Sequence, residues 1–151
     1  MKRIIAVLIF SVIIGCKPQV TEEAKRDIQS YSIDQFYQNE NVYAGGFSPD
    51  ETKIIATSNR TGIYNVFALP IDGSDPVKLT NSTTESIFAI SYFPQDDRIL
   101  YSSDSGGNEI NHIYVRNEDG RSTDLTPWSG VKSEFGGWAR DEKNFFFISN
   151  K

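Results

Sequence analysis

The residues of this chain that could take part in catalysis are few, and their settings favour simpler roles. His112 is the only histidine and could act as a general base, but it begins a predicted strand and no nucleophile lies near it in sequence. A hydrolase serine commonly lies in a Gly-x-Ser-x-Gly turn, where a strained backbone exposes the hydroxyl, and the chain contains no such pentapeptide. Ser48 is followed by Pro49, which predicts a turn serine. We therefore predict no catalytic residue, and a partly buried or loop-edge position for His112.

Three aspartates could supply the oxygen ligands that calcium prefers. Asp96 and Asp97 are adjacent, and Asp104 follows in the next predicted loop. The Asp-x-Asp-x-Asp-Gly spacing of a calcium-binding loop is absent, however. Aspartate also caps turns by accepting a hydrogen bond from its own following backbone, which explains these residues without a metal. The Gly106-Gly107 pair is not followed by a phosphate-binding helix. We predict neither a metal site nor a cofactor.

The N-terminus has the layout of a lipoprotein export signal. A basic start, Met1–Arg3, precedes an apolar run from Ile4 to Ile14. This run is too short to span a bilayer, which takes about 20 helical residues. Ile13-Ile14-Gly15-Cys16 looks like a bacterial lipobox, so we predict a signal peptide over 1–15, a lipid on Cys16 and a polar tether over 16–30. The alternative is an ordinary signal peptide followed by a free, buried Cys16, the only cysteine of the chain.

The net charge and the residue after Cys16 indicate which partners and which cell location to expect. The chain carries a formal charge of −5, and without Lys2 and Arg3 it has 13 basic against 20 acidic residues. Nucleic-acid binding requires clustered lysines and arginines, so we predict no nucleic-acid partner. We expect the lipid anchor alone to contact the membrane. By resemblance to the sorting rules of bacterial lipoproteins, Lys17 in place of an aspartate after the cysteine implies the outer membrane of a bacterial cell envelope.

Short motifs recur along the chain at a spacing of 45 to 47 residues. Pairs of serine with asparagine or aspartate occur at Ser58-Asn59, Ser103-Asp104 and Ser149-Asn150. Leu79-Thr80 returns as Leu125-Thr126. A period of roughly 40–45 residues is typical of the four-stranded blades of a β-propeller. One such unit cannot bury its own faces, so the repeat predicts sheets stacked on one another.

The first two repeats each predict the same four strands, and the third predicts the first two of them. An aromatic-ended run leads into a Pro- or Asp-containing turn, a nearly continuous apolar run follows, and Gly-containing loops and Asp-Gly turns bound the later strands. The apolar runs are expected to be buried on both faces. The predicted strands are, in chain order, Asn41–Phe47, Lys53–Ser58, Asn65–Leu69, Glu85–Phe93, Arg98–Ser103, His112–Arg116, Lys132–Trp138 and Asn144–Ile148, with a short outer strand before each Leu-Thr pair.

The region from 31 to 151 is therefore predicted to be all-β, the N-terminal part of an incomplete propeller of about two and a half blades. A short helical leader precedes it, because Ser32 and Gln35 fit a capping box and predict a helix over Ile33–Tyr37. Propellers close with four to eight blades, and the third repeat has only its first two strands. We expect the chain to be a fragment of a longer protein.

Parts of the sequence resemble a known family. The segments Tyr31–Tyr37 and Phe47–Asp50 resemble the start of the prolyl oligopeptidase family of serine peptidases, and in particular its bacterial dipeptidyl aminopeptidase and acylaminoacyl-peptidase members. The Ser-Pro-Asp turn, the Gly62 loop, the Asp72-Gly73 turn and the Leu-Thr ending also resemble repeats of TolB-like periplasmic propellers. The peptidase resemblance implies a propeller that caps a C-terminal α/β-hydrolase domain.

Two functions follow from these resemblances as expectations. The first is the non-catalytic, substrate-gating propeller of an exported serine peptidase acting on short peptides, whose hydrolase domain lies outside this chain. The second is a non-enzymatic TolB-like propeller whose rim binds a protein or another cell-envelope partner. No catalytic residue of the peptidase family can be placed on this chain.

Overall fold

The computed structural model describes residues 28–151, whose regular secondary structure is almost entirely β-strand. Nearly all of the chain between the strands is turn or short loop. The elements, in chain order, are α1 (Ile33–Tyr37), β1 (Val42–Phe47), β2 (Lys53–Ser58), β3 (Asn65–Pro70), β4 (Val77–Lys78), β5 (Ile87–Tyr92), β6 (Ile99–Ser103), β7 (His112–Arg116), β8 (Ser122–Asp124), β9 (Ser133–Trp138) and β10 (Phe145–Ser149).

The strands form three antiparallel sheets in sequence order. The first sheet is β1-β2-β3-β4, the second is β5-β6-β7-β8, and the third is the pair β9-β10. None of the three sheets closes on itself. The four strands predicted for each of the first two repeats are confirmed, with ends that differ from the prediction by at most two residues. A propeller ring is not visible in this region.

The leader helix begins where the sequence predicts. The Ser32 hydroxyl accepts a hydrogen bond from the Gln35 amide at 3.3 Å, and the Gln35 side chain accepts one from the Ser32 amide at 2.8 Å. This reciprocal capping box satisfies amide groups that the first helical turn leaves unpaired. No residue of α1 is buried, so its caps stabilise the helix more than any packing does.

The repeated Leu-Thr pair joins the outer strand to its sheet. The Val66 amide donates to the Thr80 hydroxyl at 2.8 Å, and the Ile113 amide donates to the Thr126 hydroxyl at 3.0 Å. The residue before each threonine donates its amide to the carbonyl of the same Val66 or Ile113, at 2.8 Å in both sheets. The motif recurs because the backbone groups of each third strand still need hydrogen-bond partners where the short outer strand ends.

The turn after each first strand is held by an aspartate. The carboxylates of Asp50, Asp96 and Asp141 each accept a hydrogen bond from the backbone amide two residues later, at 3.0 to 3.1 Å. Hydrogen bonds from the hydroxyl of Ser48 and from Thr52 lower the pKa of Asp50 to about 2. The prediction that turn capping accounts for Asp96 is confirmed.

Two apolar layers hold the three sheets together. Strand β6 supplies both, because successive side chains of a strand point to opposite faces: Ile99 and Tyr101 face the first sheet, and Leu100 faces the third. The first layer also contains Ile55, Val66 and Tyr92. The second layer combines Leu100, Ile113 and Val115 with Ile90, Phe93, Leu125, Phe135, Trp138 and Phe145.

The same hydrogen bond joins each sheet to the next. The Ile87 amide of β5 donates to the Tyr64 carbonyl at 3.0 Å, and the Ser133 amide of β9 donates to the Asn111 carbonyl at 2.8 Å. The donors are 46 residues apart and the acceptors 47, which matches the period of the sequence motifs. The second and third sheets therefore attach to their predecessors in equivalent ways.

One strand prediction is wrong in part. The run Asn144–Ile148 was expected to be buried on both faces, yet on β10 Phe146 and Ile148 are 66% and 69% exposed. The cause is positional, since β10 belongs to the last sheet of the described region and only one face of that sheet meets another. The first sheet is open in the same way, with Val42, Tyr43 and Phe47 exposed.

Candidate functional site

His112 lies at the start of β7, next to an acidic partner. Its Nδ1 atom is 2.7 Å from an Asp124 carboxylate oxygen on β8, and the two side chains are only 19% and 25% exposed. The second Asp124 oxygen accepts the Thr126 amide at 2.8 Å. Tyr114 stacks beside the imidazole with ring centroids 6.3 Å apart. The loop-edge, partly buried position predicted for His112 is confirmed.

An aspartate that orients a histidine forms two members of a catalytic triad, and the third must be a nucleophile. Ser103 is the cross-strand partner of His112, but its hydroxyl donates to the Ser86 carbonyl at 2.8 Å. Its proton is therefore directed at the backbone. Ser48 donates to Asp50 at 2.6 Å and accepts the Lys53 amide, so it is the predicted turn serine. Among residues 28–151, no hydroxyl makes a hydrogen bond with the His112 imidazole.

His112 lines a small cleft of about 200 Å³. The β6–β7 loop supplies one side of it, including Asp104 and Asn108, and the segment around Ser129 supplies another. Asp104 is already engaged, because it accepts the Glu109 amide at 2.8 Å. The cleft therefore presents one histidine and several hydrogen-bonding side chains, of which Asp104 is already bound to the Glu109 backbone amide.

The three aspartates considered as calcium ligands each interact with a different partner. Asp96 forms an ion pair with Arg98 at 2.8 Å, and Asp97 forms one with Lys53 on the neighbouring sheet at 2.7 Å. Asp104 caps its own loop. Among residues 28–151, no three or more His, Cys, Asp and Glu side chains are grouped closely enough to hold a metal ion.

The predicted lipidation site cannot be placed structurally. Cys16 and the predicted signal peptide lie outside the residues that the structure describes. Within residues 28–151, no helix has the length and apolar character needed to cross a membrane.

A second cleft, of about 380 Å³, lies between the first and second sheets, and no sequence motif indicated it. Lys53 and Asp97 lie at one side of it, and Tyr92 and Arg116 come from the second sheet. These residues stand up to 63 positions apart in the chain. Only the stacking of the two sheets brings them together, so no local motif could have indicated them.

Comparison with known proteins gives a partial similarity. No protein-family model matches the chain. A 92-residue stretch, 60% of this chain, is 32% identical to dipeptidyl aminopeptidase BIII of Pseudoxanthomonas mexicana. The matched stretch spans only 13% of the length of that relative.

The leader and the turn motifs resemble bacterial dipeptidyl aminopeptidases, and the matched relative is a dipeptidyl aminopeptidase. It is consistent with a region associated with a peptidase. The described residues add the β-rich fold, with three antiparallel sheets and no closed sheet.

Proposed function

We propose that this chain is the propeller part of an exported serine peptidase that acts on short peptides. The observation that carries the proposal is the 32% identity to a dipeptidyl aminopeptidase over 92 residues. The catalytic α/β-hydrolase domain would lie outside residues 1–151, and the propeller would restrict access to it. His112 would have no catalytic role, because no hydroxyl within residues 28–151 makes a hydrogen bond with its imidazole.

The arrangement of the sheets supports a propeller. Successive sheets are joined by equivalent hydrogen bonds, Ile87 to Tyr64 and Ser133 to Asn111. A propeller requires such a repeated attachment, because it is a ring of four-stranded sheets in which each blade packs on the one before it. The apolar faces that remain open on the first and third sheets are where further blades would pack.

The peptidase proposal predicts that the full gene product is active and that the 151-residue chain alone is not. The full product of the gene that encodes this chain is expected to hydrolyse chromogenic Ala- or Pro-linked dipeptide substrates and to react with a fluorophosphonate probe, which labels activated serines. The 151-residue chain is expected to do neither. Release of chromophore and gel fluorescence measure the two reactions.

Two results would overturn the proposal in different ways. A full gene product without turnover and without labelling would favour a non-enzymatic propeller that binds a cell-envelope partner. Turnover by the 151-residue chain that is lost in His112→Ala would contradict the non-catalytic assignment. The variant Arg121→Gln, at an exposed arginine, is the matched control for that substitution.

We further propose that Cys16 carries the lipid that anchors the protein in the bacterial outer membrane. Acyl chains contribute about 0.8 kcal/mol per buried CH₂, so several chains hold a soluble domain firmly. Labelled palmitate is expected to enter the chain in the bacterium and to be absent from Cys16→Ser, with wild-type chain in the outer-membrane fraction. Equal labelling of Cys16→Ser would show that the lipid is elsewhere.

A further inference from the structure

A groove lined by three aromatic side chains lies where the first two sheets meet. Tyr43 comes from β1, Tyr64 directly precedes β3, and Phe88 comes from β5. The ring centroids of Tyr43 and Tyr64 are 6.0 Å apart, and those of Tyr64 and Phe88 are 5.4 Å apart. Tyr43 and Phe88 are 58% and 38% exposed, so a ligand can reach both rings. This aromatic groove has a volume of about 380 Å³ and is completed by three smaller residues, Ala44, Thr57 and Ala89.

The backbone on both sides of Phe88 is bound to the first sheet. The Ile87 amide donates to the Tyr64 carbonyl at 3.0 Å, and the Ala89 amide donates to the Thr57 hydroxyl at 2.7 Å. These bonds fix the segments that carry the aromatic rings of Tyr64 and Phe88. A site that is ordered before its ligand binds loses less entropy on binding, so the groove is well suited to hold a small molecule.

The junction of the second and third sheets has other residues at two of these three aromatic positions. The register of β5 and β9 places Glu134 where the first junction has Phe88. The sheet-to-sheet hydrogen bond is accepted by the Asn111 carbonyl, which corresponds to the Tyr64 carbonyl of the first junction. Glu134 is exposed and pairs with Lys132 at 2.9 Å. The second junction thus joins its sheets without aromatic residues at these two positions, so the attachment alone does not explain the aromatic groove.

The polar groups of the aromatic groove are hydroxyls. Among residues 28–151, no charged side chain lines the groove, and its polar side chains are Tyr43, Tyr64 and Thr57. A hydrogen bond with the Tyr43 hydroxyl raises the pKa of Tyr64, so the Tyr64 hydroxyl keeps its proton at neutral pH. A charged ligand would lose water in the groove and gain no opposite charge. The lining therefore favours an uncharged ligand.

A neutral sugar ring matches these groups. The face of an aromatic ring carries partial negative charge, and a pyranose with equatorial hydroxyls presents axial C–H groups, which are slightly positive, to such a face. The sugar hydroxyls lie around the rim of the ring, where the Tyr43 and Tyr64 hydroxyls can exchange hydrogen bonds with them. Small-molecule sites are typically 300–1,000 Å³, and the groove, at about 380 Å³, is at the small end of this range.

We propose that the aromatic groove binds a neutral saccharide with equatorial hydroxyls. The rings of Tyr43 and Phe88 contact the C–H faces of the sugar, and the Tyr43 and Tyr64 hydroxyls bind its hydroxyl groups. The site is formed wholly by residues of this chain and its test measures binding, whereas the test of the peptidase proposal measures hydrolysis. The failure of one proposal therefore leaves the other unaffected.

The probe for the test is methyl β-glucoside, added to isotope-labelled full chain and followed by NMR. Amide shifts are expected at residues 43–44, 57, 64 and 88–89, and they should saturate. Methyl β-glucuronide differs from the probe only by a carboxylate in place of the C6 hydroxymethyl group. We expect it to bind at least about tenfold more weakly, because the lining supplies no cation to compensate for the lost water. The third probe, p-cresol, has an aromatic ring without a sugar and is expected to bind more weakly than the glucoside.

Variants identify the groups responsible. Tyr64→Asn introduces the residue type that the second junction has at this position, so the sheets should still attach. It is expected to weaken glucoside binding about threefold to tenfold. Tyr43→Phe, which keeps the ring and removes the hydroxyl, should weaken binding about threefold. Phe146→Ala, at an exposed aromatic residue of the third sheet, should bind as the wild type does.

Unfolding curves and amide spectra would confirm that each variant is folded. The proposal would be overturned by the absence of saturable shifts in the aromatic groove, or by equal binding of the glucoside and the glucuronide. Tighter binding of p-cresol than of the glucoside would identify a site for aromatic compounds instead. Wild-type affinity in Tyr64→Asn would also contradict it, and loss of folding in that variant would leave Tyr43→Phe to decide.

Discussion

Leu100→Ala is expected to lower the free energy of unfolding by about 2–5 kcal/mol, the range for removing a leucine from a packed core. Leu100 is fully buried and forms the second apolar layer with Ile113 and Val115. This layer joins the second sheet to the third. The deletion leaves a cavity that the layer can only partly close, because rigid strands of both sheets line it.

Urea unfolding followed by far-UV circular dichroism and tryptophan fluorescence measures this loss. Phe146→Ala is the matched control, because it removes a larger apolar side chain that is 66% exposed. We expect the control to change the free energy of unfolding by about 0.5 kcal/mol or less. Equal losses in the two variants would show that the second and third sheets do not pack as described.

Gly45→Ala is expected to cost about 1–3 kcal/mol, as overpacked positions do. A Cβ at Gly45 would lie 2.7 Å from Ile55 Cγ2, and 3.3 Å from the carbonyl oxygens of Ile55 and Ile90. Ile55 is fully buried, and a backbone carbonyl cannot move without shifting its strand. The added methyl group therefore pushes β1, β2 and β5 apart.

Gly46 provides the control for this substitution within the same strand. A Cβ at Gly46 meets no atom within 4 Å. Both changes remove one glycine from β1, so their effects on the entropy of the unfolded chain are similar, and the difference between them reports the clash. Gly46→Ala should shift the unfolding midpoint little. If Gly45→Ala proved as stable as Gly46→Ala, the close approach of β5 to β1 would be disproved.

Local chemistry made much of the fold predictable. Ser32 and Gln35 indicated the capping box, the Leu-Thr pairs indicated the end of each outer strand, and the aspartates indicated the turns. These devices act within a few residues or across one hairpin, so the sequence order carries their signal directly. The repeat then placed the remaining strands by analogy between units.

Contacts between the sheets were not predictable in the same way. Lys53 and Asp97 are 44 positions apart, and no pattern in either segment predicts that the two residues form an ion pair. A strand of continuous apolar residues does not show which side chain faces which neighbour, so Tyr92 and Arg116 could not be assigned to one cleft. The exposure of Phe146 likewise depends on what covers the third sheet, which its own residues do not specify.

The sequential strand order has a consequence for how the molecule assembles. Every sheet pairs strands that follow one another, and β5 and β9 each lie against the sheet made just before. Such an arrangement behaves as a one-dimensional array, in which cooperativity passes only between adjacent members. During synthesis, the first sheet is complete at Lys78, before β5 has been made, so a growing polypeptide can fold from its N-terminal side without waiting for remote segments.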